Sequence, residues 1–116
     1  MDVCITNESK GKVLVPRAKV ASSLLDRCRG LLGTISLSMD DGLWITPCRS
    51  VHTFFMTYPI DILFLDDQGV VLSRKTLLPW RLSAWERRAQ GVLELAAGKI
   101  AQSKTDVGDR LTVKPI

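Results

Sequence analysis

The stretch Val51-His52-Thr53-Phe54-Phe55-Met56-Thr57-Tyr58-Pro59-Ile60-Asp61-Ile62-Leu63-Phe64-Leu65-Asp66-Asp67 decides how this chain is read. Its second half, Ile60–Leu65, is apolar at every position but one. Such a run is expected of a strand covered on both faces. Asp66-Asp67-Gln68-Gly69 follows and has the composition of a tight hairpin turn into a second strand, Val70–Thr76. The first half, Val51–Thr57, reads as another strand, with His52, Phe54 and Met56 on one face and Val51, Thr53 and Phe55 on the other. Two residues break the apolar pattern, His52 and Asp61, and both become candidates for function.

Working outward, the same period-two reasoning gives strands at Val3–Asn7, Val13–Val20, Leu43–Thr46, Gly91–Leu95 and Arg110–Lys114. Ser22–Gly33 carries Leu24, Leu25, Cys28, Leu31 and Leu32 on one helical stripe and ends on Gly33, which predicts a helix. Ala96–Lys104 predicts a second, shorter one. Leu77–Gln90 contains Pro79, Trp80 and Trp85 without a period and reads as a long connection. Many short strands with two short helices imply a single domain over residues 1–116, mainly β, built as an antiparallel sandwich or flattened barrel.

With 116 residues and 46% apolar composition, the chain has enough apolar surface for one core without staples. No apolar run approaches the ~20 residues of a membrane span. The N-terminus shows no basic segment followed by an apolar one, so no export signal is read there, and a cytoplasmic domain is expected. Three cysteines, Cys4, Cys28 and Cys48, fit reduced, buried thiols in that setting. The net charge of +4 equals that of one segment, in which Arg74, Lys75, Arg81, Arg87 and Arg88 face a single acid, Glu86.

At this point the residues resemble a known family. The run Val51–Asp66 is similar to the signature of the domain of unknown function 192 family, a widespread bacterial family. The resemblance extends upstream to Arg27-Cys28-Arg29-Gly30-Leu31-Leu32-Gly33 and Gly42-Leu43-Trp44-Ile45. Downstream it takes in Val92-Leu93-Glu94-Leu95-Ala96-Ala97-Gly98 and Val107-Gly108-Asp109. It covers roughly Arg17 to Val113 and fits Leu78–Arg88 least. It implies a small, mainly β domain. It implies no reaction, cofactor or partner, because the family has none agreed.

Chemistry must therefore be argued from the residues. Asp61 shares its strand face with Leu63 and Leu65. Burying a carboxylate there is costly unless a partner or backbone N–H groups compensate. The expected role is to tie down a neighbouring loop, with Arg27 or Arg29 as partner. His52, the single histidine, is the natural general base if there is one. Glu94 is a second acid in an apolar strand. Together His52, Asp61 and Glu94 would suit a hydrolase or lyase if they converged. The preferred expectation is a binding module, with a pocket for a small molecule or protein segment built from His52, Phe54, Met56 and Asp61 and rimmed by Arg27 and Arg29.

Cys48 and His52 lie four residues apart in what reads as extended chain, about 13 Å, too far to share one metal ion or to act as nucleophile and base. No phosphate loop, nucleophile elbow or zinc-protease motif is present, so no metal and no cofactor are expected. The Arg74–Arg88 patch with its tryptophans is a third reading, a nucleic-acid surface, ranked behind the other two. A monomer or weak dimer is expected.

Overall fold

The computed structural model describes residues 1–21 and 37–116. The helix expected over Ser22–Gly33, with Arg27, Cys28 and Arg29, lies outside the described residues. Seven strands are present: β1 (Asp2–Asn7), β2 (Lys12–Ala21), β3 (Gly42–Ile45), β4 (Ile60–Leu65), β5 (Val71–Leu77), β6 (Gly91–Ala96) and β7 (Leu111–Pro115). One short helix, α1 (Lys99–Ser103), is found among the described residues.

All seven strands belong to one sheet, in the order β5-β4-β6-β3-β2-β1-β7. The expected sandwich is therefore corrected to a single curled half-barrel. β2 and β3 pair in parallel, unlike the other pairs, which are antiparallel. β4 lies between β5 and β6, and all six of its residues are buried. That placement is why its sequence is apolar on both faces.

The two faces of β4 feed two different cores. Leu63 and Leu65 join Val3, Ile5, Leu93, Leu95 and Leu111 inside the curl. Ile60, Ile62 and Phe64 join Val51, Met56, Ala89 and Val92 on its outer side. The outer core is closed by the two connections, residues 46–59 and 78–90. The inner one is covered at one end by α1, through Ile100.

The two ends of the sheet meet at one corner. Val70 bridges Arg110, the Leu111 N–H donates to the Gly69 carbonyl at 2.8 Å, and the Val71 N–H donates to the Asp109 carbonyl at 2.9 Å. Gly69 has a φ of 80°, and a Cβ there would run into the Leu111 carbonyl oxygen, a backbone atom. Only glycine fits this turn. Gly69→Ala is expected to cost about 2 kcal/mol, by strain and loss of the corner contact. Urea unfolding checks this; a midpoint equal to that of the parent would mean that the corner contributes nothing.

Candidate functional site

Val51–Thr57 is not a strand of the sheet, which corrects the reading of that stretch. For four residues the period-two alternation holds, with Val51 and Thr53 buried and His52 and Phe54 exposed. The chain then turns. Phe55 has a φ of 67°, and the Met56 N–H donates to the Thr53 carbonyl at 3.2 Å. The turn reverses the pattern, so Met56 is buried in the outer core and Phe55 is exposed. Met56 therefore does not share a surface with His52 and Phe54.

Instead of joining the sheet, this segment forms a short ribbon with residues 80–86 of the long connection. His52 bridges Leu82, the Ser83 N–H donates to the Val51 carbonyl, and the Glu86 N–H donates to the Arg49 carbonyl. Thr53, fully buried, fastens the ribbon. Its hydroxyl donates to the Leu78 carbonyl at 2.6 Å and accepts from the Arg81 N–H at 2.9 Å. Its carbonyl accepts from the Trp80 N–H at 2.9 Å. Trp80 is held at a φ of 63°. Two bulky residues in the left-handed region are uncommon in a domain this small, since each such conformation costs on the order of 1–2 kcal/mol.

The consequence is a row of outward rings. His52 stacks on Phe54 with centroids 4.9 Å apart and planes 23° apart. Phe54 lies 6.3 Å from Trp80, and Phe55 lies 4.7 Å from Trp80. Phe55 is 71% exposed and Trp80 55%, and Trp85, further along the ribbon, is 69% exposed. Leu78 and Leu82 are exposed as well. The tryptophans of the long connection do not pack back onto the sheet. Large contiguous apolar surface of this kind marks a contact site more often than an incidental one. The His52 Nδ1 accepts the Phe54 N–H at 3.2 Å, which leaves Nε2 as the ring's N–H donor.

Asp61 lies elsewhere. It is 1% exposed and faces the inner core beside Leu95, across the sheet from the ring platform. One carboxylate oxygen accepts the N–H groups of Gly98 at 3.0 Å and Ile100 at 2.9 Å. The other accepts the Thr76 hydroxyl at 2.6 Å. Asp61 thus caps, from β4, the start of the helix that closes one end of the curl. It does tie down a loop, as expected. Its partners among the described residues are a hydroxyl and backbone N–H groups, with no arginine. An open recess of about 300 Å³ lies beside it, lined by Arg74, Lys75, Thr76, Gly98 and Ile100, but the carboxylate oxygens are already engaged.

Glu94 points the other way. Its cross-strand neighbours are Ile62 on β4 and Leu43 on β3, both in the outer core. Among the described residues its carboxylate has no hydrogen-bond or ion-pair partner. Burial pushes its pKa up to about 7. The structure therefore does not bring His52, Asp61 and Glu94 together: Asp61 and Glu94 lie on opposite faces of the sheet, and His52 stands in solvent. Among the described residues no group of three His, Cys, Asp or Glu side chains could hold a metal ion. Cys48 is buried and donates its thiol to the Ser50 carbonyl.

The basic patch also divides. Arg74 pairs with Asp106 at 3.2 Å and donates to the Thr105 carbonyl, so it serves the corner of the fold. Arg81, Arg87 and Arg88 are exposed on the ribbon side, and Arg49 joins them.

The family model of DUF192, described as an uncharacterised ACR, matches residues 5–113. The chain belongs to the DUF192 family. A UPF0127 protein of Thermococcus sibiricus is 32% identical over 112 residues, which are 92% of this chain and 72% of that protein. A UPF0127 protein of Pyrococcus horikoshii is 31% identical, over 92% of this chain and 96% of its own. These relatives are archaeal, so the resemblance to a bacterial family is corrected: DUF192 membership does not make this chain bacterial. In fold, this DUF192 chain is similar to a protein of unknown function from Novosphingobium aromaticivorans, with a TM-score of 0.82 at 20% identity over 97% of this chain and 84% of that one. It is also similar to a protein from Sinorhizobium meliloti, with a TM-score of 0.80 at 21% identity over 97% and 92%. Among the described residues no helix is long and apolar enough to cross a membrane.

Sequence reasoning named His52 and Phe54 for a pocket and Trp80 for a nucleic-acid surface, but gave Phe55 and Thr53 no role. The signal available for the rings was an aromatic pair, Phe54-Phe55, and two tryptophans in segments with no period to bury them. Nothing local marks Thr53, because its role depends on a chain segment 25 to 28 residues away.

Proposed function

We propose that this domain is a binding module, and that its contact surface is the platform of His52, Phe54, Phe55 and Trp80. The observation that carries the reading is that two of these large rings stand in solvent on backbone held at positive φ. A fold under selection for stability alone would bury such rings or place glycine at those positions. Holding them outward at a local cost is the pattern of a contact surface arranged in advance of its ligand.

The test is a heteronuclear NMR titration of the whole chain with three probes of different chemistry: an acidic peptide, an oligonucleotide and an oligosaccharide. At least one probe is expected to shift the side-chain signals of His52, Phe54, Phe55 and Trp80 while leaving β1 and β7 unmoved. The double variant Phe55→Gly, Trp80→Gly is expected to remain folded and to lose that response. A response centred on the recess beside Asp61, or one that survives the double variant, would overturn the assignment of the surface.

A further inference from the structure

The platform has a one-sided hydrogen-bonding character. Residues 49–58 and 78–90, which build it, contain four arginines, Arg49, Arg81, Arg87 and Arg88, and one carboxylate, Glu86. All four guanidinium groups are exposed, and none takes part in an ion pair among the described residues. Each brings five N–H donors and no acceptor. His52 also presents a donor, because its Nδ1 is engaged by the Phe54 N–H. Among its charged side chains the ribbon thus offers four cationic donors against one anionic acceptor, Glu86.

That imbalance distinguishes classes of ligand. A peptide backbone carries donors and acceptors in equal number, so it would leave its own N–H groups without partners here. Sugars likewise need acceptors for their hydroxyls. A phosphodiester strand carries charged acceptors at every unit and flat, apolar base faces between them, and it matches both halves of the surface. The ribbon is also extended. From Trp80 to Trp85 the chain covers at most about 17 Å, with Arg81 and Leu82 between the rings and the arginine cluster at its far end.

Resting on the binding-module reading above, we propose that the occupant of the platform is a single-stranded nucleic acid, its bases stacked on Phe54, Phe55 and Trp80 and its phosphates met by Arg49, Arg81, Arg87 and Arg88. A duplex hides its base faces and would retain only the electrostatic part. Base stacking tolerates any sequence, so little base preference is expected.

The experiment is fluorescence anisotropy of the full chain with labelled dT12 and rU12, a duplex of equal length, and a labelled twelve-residue acidic peptide, between 50 and 200 mM salt. The single strands are expected to bind in preference to the duplex and the peptide. The plot of log affinity against log salt should have a slope of about −2 to −3, from four phosphate contacts. Trp80→Gly should weaken single-strand binding between about fivefold and a hundredfold and leave the slope unchanged. Arg81→Gln should lower the slope by about 0.7. Binding of the peptide but not the strands, with loss in Trp80→Gly, would overturn the nucleic-acid occupant and leave the platform reading intact. Strand binding that ignores Trp80→Gly and Phe55→Gly would overturn both, since a basic protein then binds by charge alone. Absence of strand binding at 50 mM salt would overturn the occupant, and the three-probe titration then decides the platform.

Discussion

Asp61→Ala is expected to lower the stability of the domain by about 3–5 kcal/mol, while Asp61→Asn lowers it by only about 1–2 kcal/mol. In the parent, one carboxylate oxygen accepts two backbone N–H groups, from Gly98 and Ile100, and the other accepts the Thr76 hydroxyl. Alanine leaves both N–H groups without a protein acceptor in a largely buried site, and opens a void beside them. Asparagine keeps one oxygen for the two N–H groups, and its amide can donate to the Thr76 oxygen, whose hydroxyl rotates to suit. Urea unfolding monitored by tryptophan fluorescence separates the two. Equal losses for alanine and asparagine would show that the cap is not what Asp61 supplies. The same comparison bears on function, because a catalytic carboxylate would be free to meet a substrate, and both oxygens of this one are engaged, one by the start of α1 and one by Thr76.

The second large effect is one of pH. Glu94 has its pKa raised by burial to about 7, from an ordinary value of 4.5. Below pH 4.5 the group is protonated whether the chain is folded or not, and it makes no difference to stability. Between pH 4.5 and 7 the unfolded chain releases a proton that the folded chain keeps. Unfolding is therefore favoured progressively as pH rises. The gap is about 2.5 on the pH scale, and at about 1.4 kcal/mol for each step the loss saturates above pH 7 at about 3 kcal/mol. Glu94→Gln removes the titrating group and keeps its shape. The variant is expected to match the parent within about 1 kcal/mol at pH 4 and to exceed it by about 3 kcal/mol at pH 8. Denaturant unfolding of both proteins across this range checks the sign. A difference that stays constant with pH would mean that the fold leaves the Glu94 pKa at its ordinary value.

Much of the fold is legible in the sequence where a local period decides the outcome. Ile60–Leu65 announces a strand covered on both faces, and the Asp66–Gly69 turn announces its hairpin. Both follow from side-chain alternation and turn chemistry, which act over a few residues. The fusion of all strands into one curled sheet is not legible in this way. It depends on the parallel pairing of β2 with β3 and on the corner where Val70 meets Arg110, contacts between distant segments that leave no local period.

The same division holds for the site. Strand parity at Val51–Phe54 correctly separates His52 and Phe54 from Val51 and Thr53. It fails at Phe55, where positive φ inserts a turn that parity cannot anticipate. It also identified Asp61 and Glu94 as exceptions, but could not place them on opposite sides of the sheet without the β4–β6 register. The tryptophans of the long connection were legible as aromatics without a period beside a basic patch, but not as exposed rings. Their exposure follows from the grip of Thr53 on Leu78, Trp80 and Arg81, and that grip is a tertiary contact.

The central claim is that Phe55 and Trp80 are held outward for a ligand and not for the fold. The unfolding free energy of Phe55→Gly and of Trp80→Gly tests it most directly. Glycine relieves the left-handed backbone at each position and forfeits only a ring contact at the surface, and it adds some freedom to the unfolded chain. These effects nearly cancel, so each variant is expected to lie within about 1 kcal/mol of the parent. A loss of about 3 kcal/mol or more, the ordinary result of removing a packed aromatic side chain, would show that the rings serve the core and would contradict the account.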